Sequence, residues 1–144
     1  MLPVLRGLLR LTWFDQMTLA AAEVPWHQKR VDLVLMRDED VFAVELKVSK
    51  WKKAIDQAAV NRWASDSSWV ALWHDCITAD ALAYAREAGV GILAVTANTA
   101  YPLTHPHRPT RTAAAPRLAA EVTARGSRVR DLLGDSLRTG LALA

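Results

Sequence analysis

The spacing of hydrophobic positions changes along the first half of the chain, and the change predicts its elements. Apolar residues recur at helical spacing over residues 1–22, which predicts a first helix whose apolar side is Leu2, Leu5, Leu8, Leu9 and Trp13. Three runs of strand composition follow: a short first run that Pro25 and the polar "HQK" end, then "VDLVLM" and "VFAVELKV". The charged turn "RDED" joins the second run to the third. Two such runs joined by a short polar turn predict a β-hairpin.

The second half alternates between helical and strand patterns. Trp51 and Ile55 begin a helical repeat for which Ser49 is the expected N-cap, and a second, alanine-rich helix is expected between a Thr78 cap and a Gly89 stop. The apolar runs "SWVALW" and "VGILAVT" follow these helices as strands. Strand–helix–strand order implies right-handed crossovers and parallel pairing. We therefore expect an α/β fold with a mixed β-sheet flanked by helices, in the order α-β-β-β-α-β-α-β, and a C-terminal helical extension.

The chain changes character after residue 100. Residues 101–116 are rich in proline, which continues neither a helix nor a central strand, so they predict a linker. Residues 117–144 carry a weak helical pattern and several arginines. We therefore expect three parts: a core over residues 1–100, a proline-rich linker over residues 101–116 and a basic helical extension over residues 117–144.

Composition and charge narrow the function classes. The chain has 144 residues, enough for one domain, and its one cysteine excludes an internal disulfide and a cysteine-based zinc site. No apolar run approaches the roughly 20 residues that span a bilayer, so we expect no membrane partner and a cytoplasmic location. The net charge is +3, and residues 105–144 hold 7 arginines against 3 acidic residues. This basic end predicts an anionic partner, nucleic acid first, and a solubilising tail is the alternative.

The third predicted strand carries charge where apolar residues would suffice. Side chains alternate along a strand, so one face, expected to meet the core, is Phe42, Val44, Leu46 and Val48. The other face ends in Glu45 and Lys47, and the hairpin brings Asp32 alongside them. Carboxylates on neighbouring strands predict a site for Mg²⁺, with Mn²⁺ as an alternative, and a lysine there can position a metal-bound water. The competing interpretation is a surface ion pair worth at most about 1 kcal/mol.

These residues carry a resemblance to a known family. Asp32, then twelve residues, then Glu45-Leu46-Lys47 resembles the D-x(n)-E-x-K signature of the PD-(D/E)XK nuclease superfamily. The element order over residues 10–96 is similar to that superfamily's restriction-endonuclease-like core, and the small RecB-like and Holliday-resolvase-like modules are the most similar members. The chain departs from the pattern in having "RVD" where the family name predicts a proline. The resemblance implies that Asp32, Glu45 and the Leu46 carbonyl bind the metal, and that Lys47 orients the attacking water.

The resemblance also implies roles for neighbouring residues. Glu23 is an expected further metal ligand, with an ordinary helix-end carboxylate as the alternative. Gln57 is an expected catalytic residue, with a solvated polar face as the alternative, and it shares a helix face with Lys50, Lys53 and Asn61. Four basic residues are expected to contact phosphates: Arg30, Lys50, Lys52 and Lys53.

The function implied is a metal-dependent nuclease that hydrolyses phosphodiester bonds of nucleic acid, DNA first, through a Mg²⁺-activated water. The alternative is a catalytically silent nuclease-like module that binds nucleic acid or assembles into a larger defence or repair complex. A homodimer, or a partner protein bound through the C-terminal extension, is expected to supply specificity. Trp26 is the expected exposed platform for a base or a partner, and the other five tryptophans are expected in the core: Trp13, Trp51, Trp63, Trp69 and Trp73.

Overall fold

A seven-stranded mixed sheet and three helices make up the described part of the protein. The computed structural model describes residues 17–26, 28–97, 99–107, 114–129 and 131. The strands are β1 (Leu19–Trp26), β2 (Lys29–Arg37), β3 (Asp40–Lys47), β4 (Ser67–Trp73), β5 (Gly91–Val95), β6 (Ala100–Thr104) and β7 (Ser127–Arg128), and the helices are α1 (Trp51–Asn61), α2 (Ala79–Ala88) and α3 (Ala114–Arg125). The prediction of an α/β fold with a mixed sheet and flanking helices is confirmed.

The strand order across the sheet is β6-β5-β4-β3-β2-β1-β7. β2 and β3 form the predicted antiparallel hairpin, in which Arg37 pairs with Asp40 across a tight turn, and Asp38 has a φ of 53°. β3, β4 and β5 are parallel, and α1 and α2 form the crossovers between them, as predicted. The hairpin and the crossovers together place the end of β3, the start of β2 and the start of α1 at one edge of the sheet.

The two crossover helices begin in different ways. The Thr78 hydroxyl accepts a hydrogen bond from the Ala81 amide at 3.1 Å, and Gly89 ends α2 with a φ of 73°, both as predicted. α1 instead begins after Lys50, whose φ of 58° and ψ of 52° are left-handed, and no side chain caps the helix. The prediction of Ser49 as the N-cap is therefore wrong. The left-handed Lys50 turns the chain sharply, so α1 starts directly beside the end of β3.

Both faces of the sheet are buried. All three helices pack on the first face, where β3 presents Val41 and Ala43. The second face carries a separate apolar cluster that includes Leu35, Val44 and Leu93. A strand buried on both faces is apolar almost throughout, which explains the composition of β3 and β4. The prediction of a single core face is therefore wrong, and so is the prediction that Val48 is part of it, because Val48 is 73% exposed.

The start of the described chain differs from the predicted first helix. Residues 19–22 belong to β1, which continues through Pro25 to Trp26. Residues 1–16 of the predicted helix lie outside the described residues. Trp26 is only 7% exposed and packs in the core of the first face, so the prediction of an exposed platform is wrong.

The region predicted as a linker and an extension contributes to the sheet. Residues 100–104 form the edge strand β6, which tolerates Pro102 because a sheet edge leaves backbone amides unpaired. The linker prediction is therefore wrong for residues 101–104. α3 buries Leu118 and Val122 against the first face of the sheet, and β7 pairs with β1. The described part of the predicted extension thus belongs to the core.

The remaining tryptophans divide between core and surface. Trp69 is fully buried, and Trp51 and Trp73 are half-buried against apolar clusters, as predicted. Trp63 is 65% exposed, so its placement in the core is wrong, and Trp13 lies outside the described residues. None of the helices in the described part of the chain has the length and apolar composition needed to cross a bilayer.

Candidate active site

The β2–β3 hairpin places Asp32 beside Glu45. The backbone pairing ends at Leu33 and Val44, and the next step of the same register sets Asp32 opposite Glu45. There the Asp32 side chain takes the place of a backbone partner, because its Oδ2 accepts a hydrogen bond from the Leu46 amide at 2.9 Å. The Asp32 carboxyl group is also close enough to that of Glu45 to raise its pKa. The register of the hairpin therefore brings two of the predicted site residues together.

Glu45 lies in an apolar environment beneath α1. It is 1% exposed, and its Oε1 accepts a hydrogen bond from the Asn61 side-chain amide at 2.8 Å. Burial raises the pKa of the Glu45 carboxyl from an ordinary 4.5 to about 7, because the charged form loses its hydration. The Asn61 hydrogen bond and the Lys47 charge oppose this rise, and the neighbouring Asp32 carboxyl adds to it. Glu45 therefore changes protonation near neutral pH.

The oxygen atoms at this position fit a hard divalent cation. Mg²⁺ is commonly held by one or two carboxylates while it keeps several waters. Asp32 Oδ2 and Glu45 Oε1 accept hydrogen bonds from the protein, so the second oxygen of each carboxylate is the candidate ligand. The amide and carbonyl of one residue in an extended strand point towards the same neighbour, so the Leu46 carbonyl lies on the Asp32 side. The three implied ligands Asp32, Glu45 and Leu46 thus lie together.

Glu23 stands close in register but does not complete the site. The pairs on either side of it set Glu23 opposite Asp32 on β1. Its φ of 50° is left-handed and interrupts the alternation of side chains along β1. Ala21 and Val24, which are three residues apart, therefore pack in the same cluster, and Glu23 between them is exposed. Within the described residues, no three His, Cys, Asp or Glu side chains group closely enough to hold a metal. The structure therefore does not bring Glu23 to the pair.

Lys47 on β3 and Gln57 on α1 lie near the carboxylate pair. Lys47 is exposed at the end of β3, two residues after Glu45, and its positive charge acts on Glu45. Gln57 is half-buried on α1, and its Nε2 donates a hydrogen bond to the Arg30 carbonyl on β2 at 3.4 Å. Both predicted residues therefore lie at the same edge of the sheet as Glu45.

Asn61 is the site residue to which sequence analysis assigned no role. It follows Gln57 by one helical turn, and the shared helix face was visible in the sequence. The signal was incomplete, because helical spacing does not show which part of that face meets the sheet. In the structure this part carries Asn61 directly over Glu45.

Most of the predicted phosphate-binding residues line this edge. Arg30, Lys50 and Lys53 are exposed there, at the start of β2 and the start of α1. Lys29 is exposed beside Arg30 and was not predicted. Lys52 is directed elsewhere, because its Nζ lies 5.6 Å from the centre of the Tyr84 ring on α2. This edge of the sheet therefore combines two carboxylates with exposed basic side chains.

Comparison with known proteins defines the fold only. No protein-family model matches the sequence, and a comparison with curated proteins found no match. A protein of unknown function from Silicibacter pomeroyi has a TM-score of 0.64 at 19% sequence identity, over 99% of this chain and 89% of that chain. The structure of SfsA from Pyrococcus furiosus in complex with Ca²⁺ has a TM-score of 0.42 at 13% identity, over 67% of this chain and 57% of that chain. The first similarity shows a shared fold, and the second is too low to define one.

Proposed function

We propose that the protein is a metal-dependent nuclease of the PD-(D/E)XK type, acting on DNA. The observation that carries the proposal is a buried Glu45 held against Asp32, with Lys47 two residues further along the strand. Burying a carboxylate among apolar residues costs several kcal/mol, and a second carboxylate beside it adds repulsion. A bound cation would offset both costs, so the arrangement is explained by a ligand that these carboxylates bind.

Each residue has a distinct part in this function. Asp32, Glu45 and the Leu46 carbonyl would hold Mg²⁺, and Mn²⁺ suits the same oxygen atoms. A bound ion of this kind lowers the pKa of a water and offsets charge on the phosphate. Lys47, which is exposed beside the pair, would orient the attacking water and stabilise the negative charge that develops on the phosphate. Gln57 would add a hydrogen-bonding group at the α1 side of the substrate.

The experiment that tests the proposal is a cleavage assay on the wild-type protein. Supercoiled plasmid, single-stranded DNA and RNA are incubated with Mg²⁺, with Mn²⁺ or with EDTA. We expect cleavage of a DNA substrate with either metal and none with EDTA. Intact substrates in every metal-containing reaction would contradict the proposal, and cleavage of RNA alone would change the substrate.

A comparison of two lysines on α1 distinguishes contact with phosphate from contact within the protein. Lys53 is exposed beside Gln57, whereas Lys52 lies over the Tyr84 ring. Each lysine that neutralises a phosphate adds about 1 to the slope of log affinity against log salt. We expect Lys53→Ala to weaken DNA binding and lower this slope by about 1, and Lys52→Ala to leave the slope unchanged. Fluorescence anisotropy between 50 and 200 mM salt, in EDTA to prevent cleavage, measures both. Equal slopes for the two variants would refute this assignment.

One observation favours a second candidate function. Each carboxylate already accepts a hydrogen bond from the protein, Asp32 from Leu46 and Glu45 from Asn61. Two carboxyl groups that share one proton also satisfy each other without a metal. The protein would then be a catalytically silent module that binds nucleic acid or assembles with partners. Metal-independent DNA binding without cleavage in the assay above is the result this candidate requires.

A further inference from the structure

We infer that Asn61 is a positioning residue that fixes the Glu45 carboxylate for metal binding. This inference rests on the proposed function and extends it to a residue outside the signature. Asn61 is the last residue of α1, and it is 3% exposed. Its Nδ2 lies 2.8 Å from Glu45 Oε1. A carboxylate only accepts hydrogen bonds, so the amide nitrogen of Asn61 must face it.

The hydrogen bond selects which Glu45 oxygen can bind a ligand. A glutamate side chain has three rotatable bonds, and restricting them costs conformational entropy. Oε1 is held by Asn61, while the register of the hairpin sets Asp32 opposite Glu45 on β2. Glu45 is therefore fixed before a metal arrives, and Oε2 is the oxygen left to bind the ion. Groups that hold a metal ligand in this way typically raise metal affinity 10- to 100-fold, to order of magnitude.

Asn61 is itself held rigidly. Its backbone carbonyl accepts hydrogen bonds from the Ser65 hydroxyl at 2.8 Å and from the Ala64 amide at 3.0 Å. Ser65 is buried as well, so the end of α1 is anchored to the turn that follows it. The helix thus presents the amide from a fixed point above β3.

A purely structural role predicts a different result. Asparagine is a weak helix former, and its amide is costly to bury unless it finds a hydrogen-bond partner, so an apolar residue would serve packing better at this position. Removing Asn61 would then change the free energy of unfolding and leave metal affinity unchanged. Metal affinity is therefore the quantity that separates a positioning role from a packing role.

The test compares Asn61→Ala and Asn61→Leu with Ser68→Ala. The leucine variant keeps most of the side-chain volume and removes only the donor. Ser68 is the matched control, because it is buried and its hydroxyl donates to the Ala58 carbonyl of the same helix at 2.6 Å rather than to Glu45. Isothermal titration gives the Mg²⁺ affinity, and a Mg²⁺ titration of DNA cleavage gives the half-maximal concentration. We expect the Mg²⁺ affinity to fall about tenfold and the half-maximal concentration to rise about tenfold in the Asn61 variants, and both to stay unchanged in the control.

The rate at saturating Mg²⁺ completes the test. We expect the cleavage rate of an Asn61 variant at saturating Mg²⁺ to approach the wild-type rate, because excess metal compensates for a ligand that is held less firmly. This comparison uses whichever variant retains the wild-type circular dichroism spectrum. Wild-type Mg²⁺ affinity in such a variant would overturn the inference and leave the proposed function standing. A wild-type protein that neither binds Mg²⁺ nor cleaves DNA would overturn both.

Discussion

Glu45→Gln should raise the free energy of unfolding of the metal-free protein by about 3 kcal/mol at pH 8 and by less than about 1 kcal/mol at pH 5. Glutamine has the shape of the protonated glutamate, and it can accept from Asn61 and donate to Asp32. The pKa of Glu45 is about 7 in the folded protein and 4.5 ordinarily. The folded state therefore binds more protons than the unfolded state between these values.

The sign of the pH dependence follows from this difference. As pH rises from 4.5 to 7, Glu45 loses its proton in the unfolded chain but keeps it in the folded state. The free energy of unfolding of the wild type therefore falls over this range and levels off above pH 7. The variant lacks this loss. Urea unfolding of both proteins in EDTA at pH 5 and pH 8 measures the effect, and Glu87→Gln, at an exposed residue of α2, is the control. An equal gain at both pH values in the Glu45 variant would contradict the explanation.

Magnesium at a hundredfold excess over its Kd should remove most of the stability advantage of Glu45→Gln at pH 8. An ion that binds only the folded state stabilises it by about 2.7 kcal/mol at a hundredfold excess over its Kd. The wild type provides both carboxylates for such an ion, whereas Glu45→Gln removes one of them. A magnesium-dependent rise in stability that is confined to the wild type would connect the unusual pKa to metal binding.

The pairing of Asp32 with Glu45 could be predicted because the hairpin is local. A tight turn after Arg37 fixes the register of β2 and β3, and counting back from it sets the two acids opposite each other. The burial of Glu45 could not be predicted in this way. It depends on α1 lying across the end of β3, and a strand face that runs from apolar to charged also fits an open edge. Burial is what gives Glu45 its pKa, so the sequence predicts the residues of the site better than their chemistry.

Helical spacing failed where the element itself ended. Trp63 continues the apolar spacing of α1, but the helix stops at Asn61, and the tryptophan then faces solvent.

Pro25 was expected to end the first strand, but it lies inside β1. β7 pairs with β1 only at Leu19 and Ala20, so within the described residues Pro25 has no strand on its outer side and needs no donor there.

The contribution of the C-terminal region depended on long-range pairing. β7 has two residues, and its pairing with Leu19 and Ala20 spans more than a hundred positions of the chain. So short a strand has no periodicity to detect. The basic charge of residues 105–144 was therefore visible, while the burial of Leu118 and Val122 was not. Charge is a property of each residue alone, whereas burial depends on the partner.

Lys47→Ala should lower the rate of metal-dependent cleavage at least about 100-fold while leaving Mg²⁺ affinity within about threefold of the wild type. Lys47 is exposed and would act on the water and the phosphate, not as a metal ligand. Asp32→Asn removes a charged ligand and should lower both cleavage and Mg²⁺ affinity. Single-turnover cleavage with saturating DNA and Mg²⁺, together with isothermal titration, separates the two variants.

Two comparisons make this result specific. Lys52→Ala removes the same charge from a side chain that lies over Tyr84, and it should cleave at the wild-type rate. Lys47→Ala should also keep the wild-type free energy of unfolding within about 0.5 kcal/mol, because Lys47 is on the surface. If Lys47→Ala and Asp32→Asn both cleaved at the wild-type rate, the observed activity would belong to a contaminating nuclease. If Lys47→Ala lost Mg²⁺ affinity as severely as Asp32→Asn, its effect would lie in holding the metal site together, and the attacking water would need another group to orient it.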